Sequence, residues 1–346
     1  TQSRSSAASD VYKRQIGNDA KNQHYESVAI GNNALGYAFG VTIGTDATTL
    51  STGGIAIGRQ VESGIYGVGI GYQAEATGNS CTAIGKASST GDFAIAIGNY
   101  AGALGEYSIC IASNNSTSSA PAARNLHSIA IGNFSDCTGA YSIAIQGNVV
   151  GINNVCIGRG YLTGANGVAL GNLAGTYTGV HNDTVAIGYQ SRSEAFGAIS
   201  MGSAATSWLT GAISIGAQSD AKDQFGIAIG YGAQAISSDT TDTYTSAIAI
   251  GHACWSAHDG AVLFGNPRGG ASRVDSQWAH TFHIGDQTSI MDLYASGDVH
   301  YDGILTGKIR KLLGSEDSTA MEAGKTYAVV GDCLLYTSDA ADDLLC

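Results

Sequence analysis

The chain has 346 residues and a formal net charge of −12 at pH 7, and only 13% of its residues are charged while 49 are glycine. This balance provides no basic stripe for nucleic acid, which we therefore exclude as an expected partner. No apolar run reaches the length of about 18 residues that a membrane-spanning helix needs, so we expect no membrane insertion by this segment.

The two ends of the chain have the pattern of translated sequencing adaptor. Residues 10–15, Asp-Val-Tyr-Lys-Arg-Gln, can be encoded by the DNA string GATGTGTATAAGAGACAG. The reverse complement of that string, in another frame, encodes Cys333 to Ser338. We therefore set residues 1–15 and 333–346 aside as adaptor artefact, which places both natural termini outside this sequence. Source DNA without this inverted repeat would contradict the interpretation.

One short phrase is repeated throughout residues 16–265. Its clean form is Ile95-Ala96-Ile97-Gly98, in which two large residues flank a small one and a glycine closes the phrase. Taking the closing residue as an anchor, we find 18 copies, and 13 of the 17 intervals between them are 13 or 14 residues long. The anchors are glycines 17, 31, 44, 58, 71, 85, 98, 132, 158, 171, 188, 202, 216, 230, 251 and 265, with Ala112 and Gln146 in the same slot.

The repeat predicts an all-β solenoid. Alternation of large and small residues, with β-branched side chains, is typical of a short strand. A second, weaker strand of small residues follows each anchor, and the period leaves no room for a helical crossover. Successive turns stacked as parallel strands would give a rod of roughly 85 Å. We expect the repeated glycines to serve positive φ or close stacking.

The large residues and anchors of six clean copies are the predicted structural repeat core. Because each turn is thin, it cannot enclose all of its Val and Ile, and the remaining apolar stripe predicts a homo-oligomer. The predicted core residues are Val28, Ile30, Gly31, Ile55, Ile57, Gly58, Ile95, Ile97, Gly98, Ile129, Ile131, Gly132, Ile227, Ile229, Gly230, Ile248, Ile250 and Gly251.

Residues 27–36, Ser-Val-Ala-Ile-Gly-Asn-Asn-Ala-Leu-Gly, resemble the head repeat of YadA-like trimeric autotransporter adhesins, and the pattern returns at 128–132 and 246–251. The resemblance covers about residues 16–265. It implies a left-handed parallel β-roll, three of which pack side by side as a homotrimer. It also implies an exposed head at the cell surface, outside the outer membrane, that binds host cell-surface or matrix proteins without chemistry. Similar rolls occur in phage tail fibres, where the target would be a bacterial surface glycan.

An aromatic residue recurs five positions before the anchor. It occurs in every second repeat at Phe39, Tyr66 and Phe93, and later at Tyr107, Tyr141 and Phe225. Like side chains stack into ladders on a solenoid, so these residues predict a structural or inter-subunit ladder. An exposed aromatic binding strip is the alternative interpretation.

Three intervals carry insertions, at residues 113–126, 176–183 and 236–245. Insertions in repeat proteins map to surface loops, often on the binding face, although tolerated drift in loop length explains them equally well. If ligand contacts lie in these loops, we expect them at Asn114, Arg124, Tyr177, His181, Asp239 and Tyr244.

The pattern fades after Gly265, and we expect residues 266–332 to form a small separate β module. His280 and His283, with His300 and Asp302 nearby, are a weak metal pattern without standard zinc spacing, so we expect no metal site. No nucleophile elbow, phosphate-binding loop or carboxylate pair is present, so we expect no enzyme and no cofactor.

Five cysteines lie between the suspect ends: Cys81, Cys110, Cys137, Cys156 and Cys254. Cys110 and Cys156 stand in the small slot of the repeat, where they replace alanine as small buried residues. Unpaired thiols favour assembly in a reducing cytosol, as for a phage fibre. The sequence thus predicts a trimeric adhesive head, with a phage tail-fibre segment on the virion or a purely structural spacer rod as alternatives.

Overall fold

The computed structural model describes residues 13–114, 120–176, 179–236, 246–257 and 260–265 in full, and the backbone alone at 274–275, 282–284, 327–330 and 333–336. All regular elements in these residues are β-strands. The chain divides into two units, residues 1–291 and 292–346. The second unit contributes one antiparallel pair, Tyr327–Val330 with Cys333–Tyr336. The first unit is a parallel β-solenoid, which confirms the predicted fold class.

One wall of the solenoid is a 19-stranded sheet, here called sheet I, to which each turn contributes one strand of three residues. Each strand pairs in parallel with the strands of the turns before and after it. The strands are Arg14–Ile16, Val28–Ile30, Val41–Ile43, Ile55–Ile57, Val68–Ile70, Thr82–Ile84, Ile95–Ile97, Ile109–Ile111, Ile129–Ile131, Ile143–Ile145, Val155–Ile157, Val168–Leu170, Val185–Ile187, Ile199–Met201, Ile213–Ile215, Ile227–Ile229, Ile248–Ile250, Val262–Phe264 and Phe282–Ile284.

The other wall, sheet II, is built from shorter strands in runs of 11 and 6. Gly175 joins the two runs, because it forms parallel bridges to both Tyr161 and Arg192. The strands are Lys21–Asn22, Leu35–Gly36, Thr48–Thr49, Glu62–Ser63, Glu75–Ala76, Ser88–Ser89, Gly102–Ala103, Ala122–Ala123, Asp136–Cys137, Asn148–Val149, Tyr161–Leu162, Arg192–Ser193, Thr206–Ser207, Asp220–Ala221, Gln234–Ala235, Cys254–Ser256 and Val274–Asp275.

The register places equivalent repeat positions directly on one another. Ile95 pairs with Ile109, and the alignment continues across the first insertion, where Ile109 pairs with Ile129. It also continues past Gly265, where the sequence pattern fades, since Phe282–Ile284 pairs with Val262–Phe264. The stacking of the backbone is therefore more extensive than the motif that predicts it.

The interior between the two sheets is filled by small side chains. The central residue of the sheet I strand is buried in turn after turn, as Ala56, Ala96 and Ala130 show with 0% exposure. Sheet II contributes residues such as Ala76 and Ala103 to the same cluster. The interior is filled mainly by alanine, serine, threonine and cysteine, with single larger residues such as Val149 and Leu162, and it holds no column of isoleucines.

The large residues of the repeat therefore point outward, which corrects their assignment as a repeat core. Val28 and Ile30 flank buried Ala29 and are themselves only partly covered. The same alternation holds in the other predicted copies, and Ile95 remains 37% exposed. Periodicity of two predicts that alternate residues share a face but does not say which face is inside. The predicted stripe of incompletely enclosed Val and Ile thus covers the whole outer face of sheet I.

The anchor glycines allow successive turns to approach closely. Gly188 has a φ of +128°, a backbone conformation that residues with a Cβ rarely adopt. A Cβ at Gly188 would lie 2.5 Å from the carbonyl oxygen of Gly202 in the next turn. Both expected reasons for the repeated glycines, positive φ and close stacking, apply at this position.

The five cysteines are free and fully buried, with 0% exposure each. Burial raises the pKa of the thiols of Cys110, Cys137 and Cys156 from 9.0 to about 11. Burial also raises the pKa of Cys254 to about 11, and it raises the pKa of Cys81. Thiolate is the reactive form, so these residues have the properties of small apolar side chains.

We therefore expect Cys110, Cys137 and Cys156 to resist alkylation by iodoacetamide at pH 8 in the folded chain and to react in guanidinium chloride. Mass spectrometry of the peptides that contain them gives the readout residue by residue.

The same pKa values make the stability of the chain depend on pH. Because the folded pKa values exceed the unfolded ones, the unfolded chain loses thiol protons first as pH rises. The cysteine contribution to stability is thus complete below pH 9.0 and is lost toward pH about 11. Rapid alkylation of the folded chain at pH 8 would contradict the expected resistance of these thiols to iodoacetamide.

Candidate binding surfaces

Two columns of large apolar residues run along the outer face of sheet I. One column precedes the buried small residue in each strand and the other follows it. Ile43, Ile70 and Ile111 in the second column are 36%, 37% and 41% exposed. We call these columns the apolar face. A contiguous apolar surface of this length on a single chain indicates a site of association.

The outer face of sheet II is different. Each short strand directs one residue outward. In four successive turns these are Thr48, Glu62, Glu75 and Ser88, and Asp136 occupies the same position three turns after Ser88. We call this column the polar face. Because charged and hydroxyl side chains retain their water there, the polar face is suited to solvent or to a hydrophilic ligand.

An aromatic ladder occupies the corner that precedes sheet I. Phe93 stacks on Tyr107 with ring centroids 5.0 Å apart and an interplanar angle of 5°. Tyr107 stacks on His127 at 4.9 Å, and His127 on Tyr141 at 5.2 Å. The predicted ladder thus forms in this region, and it includes His127, which the aromatic pattern of the sequence did not predict. The rings are also exposed, Phe93 by 49% and Tyr141 by 58%, so the ladder is accessible as well.

Outside this ladder, Phe39 contacts Tyr25 edge to face with ring centroids 5.3 Å apart, whereas Tyr66 and Phe225 lie over glycines. The ring of Tyr66 covers Gly53 of the preceding turn, where a Cβ would lie 2.6 Å from the ring. The ring of Phe225 covers Gly211 in the same way. At this corner the rings of Tyr66 and Phe225 therefore lean toward the preceding turn, where a glycine leaves room for them.

These aromatic residues have an unfavourable backbone conformation. Phe93, Tyr107 and Tyr141 have φ values of 56°, 55° and 55°. The left-handed region costs a non-glycine residue about 1–2 kcal/mol. Such strain persists only where the surrounding structure maintains it, and here both neighbouring turns fix the corner by backbone hydrogen bonds.

A second series of rings and cations lies at the opposite corner, after sheet I. The Lys86 ammonium lies 5.7 Å from the ring centroid of Tyr72 and 4.5 Å from that of Tyr100. Lys86 also donates a hydrogen bond of 2.9 Å to the Tyr100 hydroxyl. Arg59 approaches Tyr72 from the other side at 5.8 Å. Each of these cation–aromatic contacts is worth about 0.5–1 kcal/mol at an exposed site.

A groove of about 540 Å³ lies beside this corner on the polar face. Its floor is the run Ser88, Gly102 and Ala122, which pair with one another in successive strands. Lys86 and Tyr100 line the groove on the side of this corner, and Leu104 and Arg124 also belong to the lining of the groove. The groove exists because three consecutive outward positions carry a small residue.

Carboxylates and amides line the groove before this floor. Glu62 pairs with Glu75, and Glu75 pairs with Ser88, so the two carboxylates occupy adjacent turns. Ser88 donates to the Glu75 carboxylate at 3.1 Å, and the Gln73 amide donates to Gln60 at 3.2 Å. The groove thus combines carboxylate, amide, hydroxyl and cationic groups within a few turns.

Three of the six predicted ligand contacts, Asn114, Arg124 and His181, lie within the described residues, and they differ in exposure and surroundings. Arg124 lines the groove and forms an ion pair of 2.8 Å with Asp136, both about half exposed. Asn114 is only 8% exposed, and its carbonyl accepts a hydrogen bond from the Asn99 amide, so it is no accessible contact. His181 is half-buried in a separate part of the chain. The other three predicted contacts, Tyr177, Asp239 and Tyr244, lie outside the described residues.

The described residues contain neither a metal-binding cluster nor a membrane-spanning helix. No cluster of three or more His, Cys, Asp or Glu side chains that could hold a metal ion is found there. No helix long and apolar enough to cross a bilayer is found in that part of the chain either. The residues His280, His300 and Asp302 lie outside it.

These features define the class of this chain as a parallel β-solenoid with one apolar face and one polar face. The family model of the YadA head domain repeat matches residues 63–88, 89–109, 123–145 and 210–233. All four segments lie in the solenoid and include strands of both sheets. No curated protein matches the chain. The chain therefore carries a YadA-like head built of β-roll repeats.

Proposed function

We propose that this chain is the non-enzymatic adhesive head of a trimeric cell-surface fibre, which binds host-cell or matrix surfaces through many repeated contacts. The YadA head repeat points to an adhesin head of this kind. The observation that carries the proposal is the contrast between the two outer faces of the solenoid. The apolar face needs a protein partner along its whole length, and the polar face does not.

Three copies of the chain would bury their apolar faces against one another around a common axis. Burial of apolar surface stabilises by about 25 cal/mol per Å². A column of half-exposed isoleucines thus provides the driving force that an alanine-filled interior does not. Identical chains in register place isoleucine opposite isoleucine at every level, which is how a repeat with closed symmetry associates with itself.

The polar face and the two corners would then remain on the outside of the assembly. Each is repeated from turn to turn and from chain to chain, so weak single contacts add to a strong attachment. Adhesion of this kind requires no catalytic group and no bound cofactor.

Multi-angle light scattering after size exclusion, together with a cell-adhesion assay, tests the proposal on the full chain. We expect three times the chain mass and saturable binding to host cells or matrix-coated surfaces. A monomer at micromolar concentration would overturn the trimer. A trimer that binds no surface would leave the chain as a structural spacer rod and overturn the adhesive role.

The free cysteines favour a second candidate, a phage tail-fibre segment that recognises a bacterial surface. Five unpaired thiols in the described residues are compatible with assembly in a reducing cytosol. Recovery of the gene surrounding this sequence distinguishes the two. A downstream coiled-coil stalk and membrane anchor would support the adhesin, whereas neighbouring tail-assembly genes would support the phage fibre.

A further inference from the structure

We propose that the groove on the polar face binds a neutral oligosaccharide segment lying along the rod axis. The inference concerns the ligand of the proposed adhesive head and in that sense rests on the proposed function. The groove itself is defined by the residues that the structure describes between Gln60 and Arg124.

The dimensions of the groove fit a short sugar chain. Its volume of about 540 Å³ lies within the range of ligand sites. The floor of Ser88, Gly102 and Ala122 extends over three turns, and turns stack roughly 4.8 Å apart. The groove is therefore elongated along the rod, as an oligosaccharide is, and does not resemble a closed pocket for a compact molecule.

The backbone beneath the groove is not available for recognition of a peptide. Ser88 N–H donates to Ala101, Gly102 N–H to Pro121 and Ala122 N–H to Ser135, at 2.9, 3.0 and 3.0 Å. An extended peptide gains affinity mainly by adding a strand to an open sheet edge. The floor of this groove is the face of a sheet, and its main-chain donors are bonded to carbonyl groups of the next turn. Side chains must therefore recognise the ligand.

The side chains present the groups that hydroxyls recognise. A hydroxyl both donates and accepts, so it can donate to the carboxylates of Glu62 and Glu75 and accept from Lys86 or Arg124. Lys86 covers one face of the Tyr100 ring, 4.5 Å from its centroid, so the ring offers its remaining aromatic surface to the C–H face of a sugar ring. The groove thus combines an aromatic wall with polar groups of both kinds.

The charges of the groove favour an uncharged ligand. Its lining contains two carboxylates, Glu62 and Glu75, and two cations, Lys86 and Arg124, and Arg124 is also paired with Asp136 at the edge of the groove. The adjacent carboxylates would repel a sulfated or phosphorylated polymer, and the two cations would repel a basic peptide. A neutral chain of hydroxyls avoids both repulsions.

The substitution Gly102→Phe tests the proposal without disturbing the fold. Gly102 has no strained φ, and a Cβ there would lie 3.6 Å from the Ala122 Cβ and 3.8 Å from Leu104, which are ordinary contacts. The phenyl ring would fill the floor of the groove. Thr48→Phe introduces the same ring on the polar face four turns before Gly102, outside the groove lining, and serves as the matched control.

Full-length wild type, Gly102→Phe and Thr48→Phe are compared on an array of neutral tri- to hexasaccharides, sulfated oligosaccharides, and acidic and basic peptides. We expect neutral sugars to bind wild type and the control, and we expect Gly102→Phe to weaken binding about tenfold or more. Binding of only sulfated sugars or peptides would overturn the proposal, as would sugar binding that Gly102→Phe leaves unchanged.

Cell adhesion of the same three proteins separates this inference from the proposed function. If wild type binds no sugar and Gly102→Phe still adheres to cells, the proposal that the groove binds sugar is wrong and the proposed adhesive function stands. If the protein binds sugar but does not adhere to cells, the proposed adhesive function is wrong and the sugar-binding proposal stands.

Tyr100→Ala should reproduce the loss of sugar binding caused by Gly102→Phe, because it removes the aromatic wall without filling the groove.

Discussion

The chain with Ile97→Asp is expected to remain folded and to be monomeric. Ile97 lies on the apolar face, outside the alanine-filled interior, so a carboxylate there is hydrated in the single chain. In a trimer the same carboxylate would be buried among isoleucines in three copies, and burial of an unpaired charge costs several kcal/mol for each copy. Light scattering gives the mass, and far-ultraviolet circular dichroism reports whether the solenoid remains folded.

Thr206→Asp is the matched control for this substitution. Thr206 occupies an outward position of sheet II, between Arg192 and Asp220 in the neighbouring strands, so the added charge lies on the polar face. This variant should keep the mass of the wild type. A soluble, rod-shaped trimer of Ile97→Asp would show that the apolar face is not the interface.

Gly188→Ala is expected to destabilise the solenoid by about 4 kcal/mol or more, an effect in the range of severe backbone and packing defects. The added methyl group would meet the Gly202 carbonyl, which belongs to the backbone and cannot rotate away. The φ of +128° adds strain of its own. Since a repeat protein is stabilised by contacts between neighbouring turns, the defect should separate the solenoid into two weaker parts.

Gly232→Asn is the control for this prediction. Gly232 has a φ of +62°, and a Cβ there would meet nothing within 4 Å. Asparagine tolerates this region, so stability should change by less than about 1 kcal/mol. Guanidinium unfolding gives both free energies, and limited proteolysis should cleave Gly188→Ala near the affected turn. Equal stability of the two variants would contradict the role of the anchor glycines.

Most of the architecture could be predicted from the sequence because the repeat is local and the register is its direct consequence. Every predicted anchor follows a strand of sheet I, from Gly17 to Gly265. The additional strand Phe282–Ile284 escaped the pattern because Phe282 and His283 replace the usual large-small pair. Main-chain pairing requires neither residue type, so stacking continues where the motif does not.

The surfaces were less predictable than the backbone. Alternation identified two faces but not their orientation, which follows from the width of the interior. The aromatic ladder was predicted from Tyr107 and Tyr141, while His127 was missed because histidine does not match an apolar pattern. The groove depends on Ser88, Gly102 and Ala122, whose shared feature is small size, and only stacking places them side by side.

The unchanged register across the insertions has a consequence for protein engineering. Val168 pairs with Val185, and Ile227 with Ile248, although the intervening segments exceed the usual period. The described turns on either side of each insertion therefore stack without a shift in register. Foreign peptides could be displayed at chosen corners of this rod, and the distance between two of them would be set by the number of turns, in steps of roughly 4.8 Å.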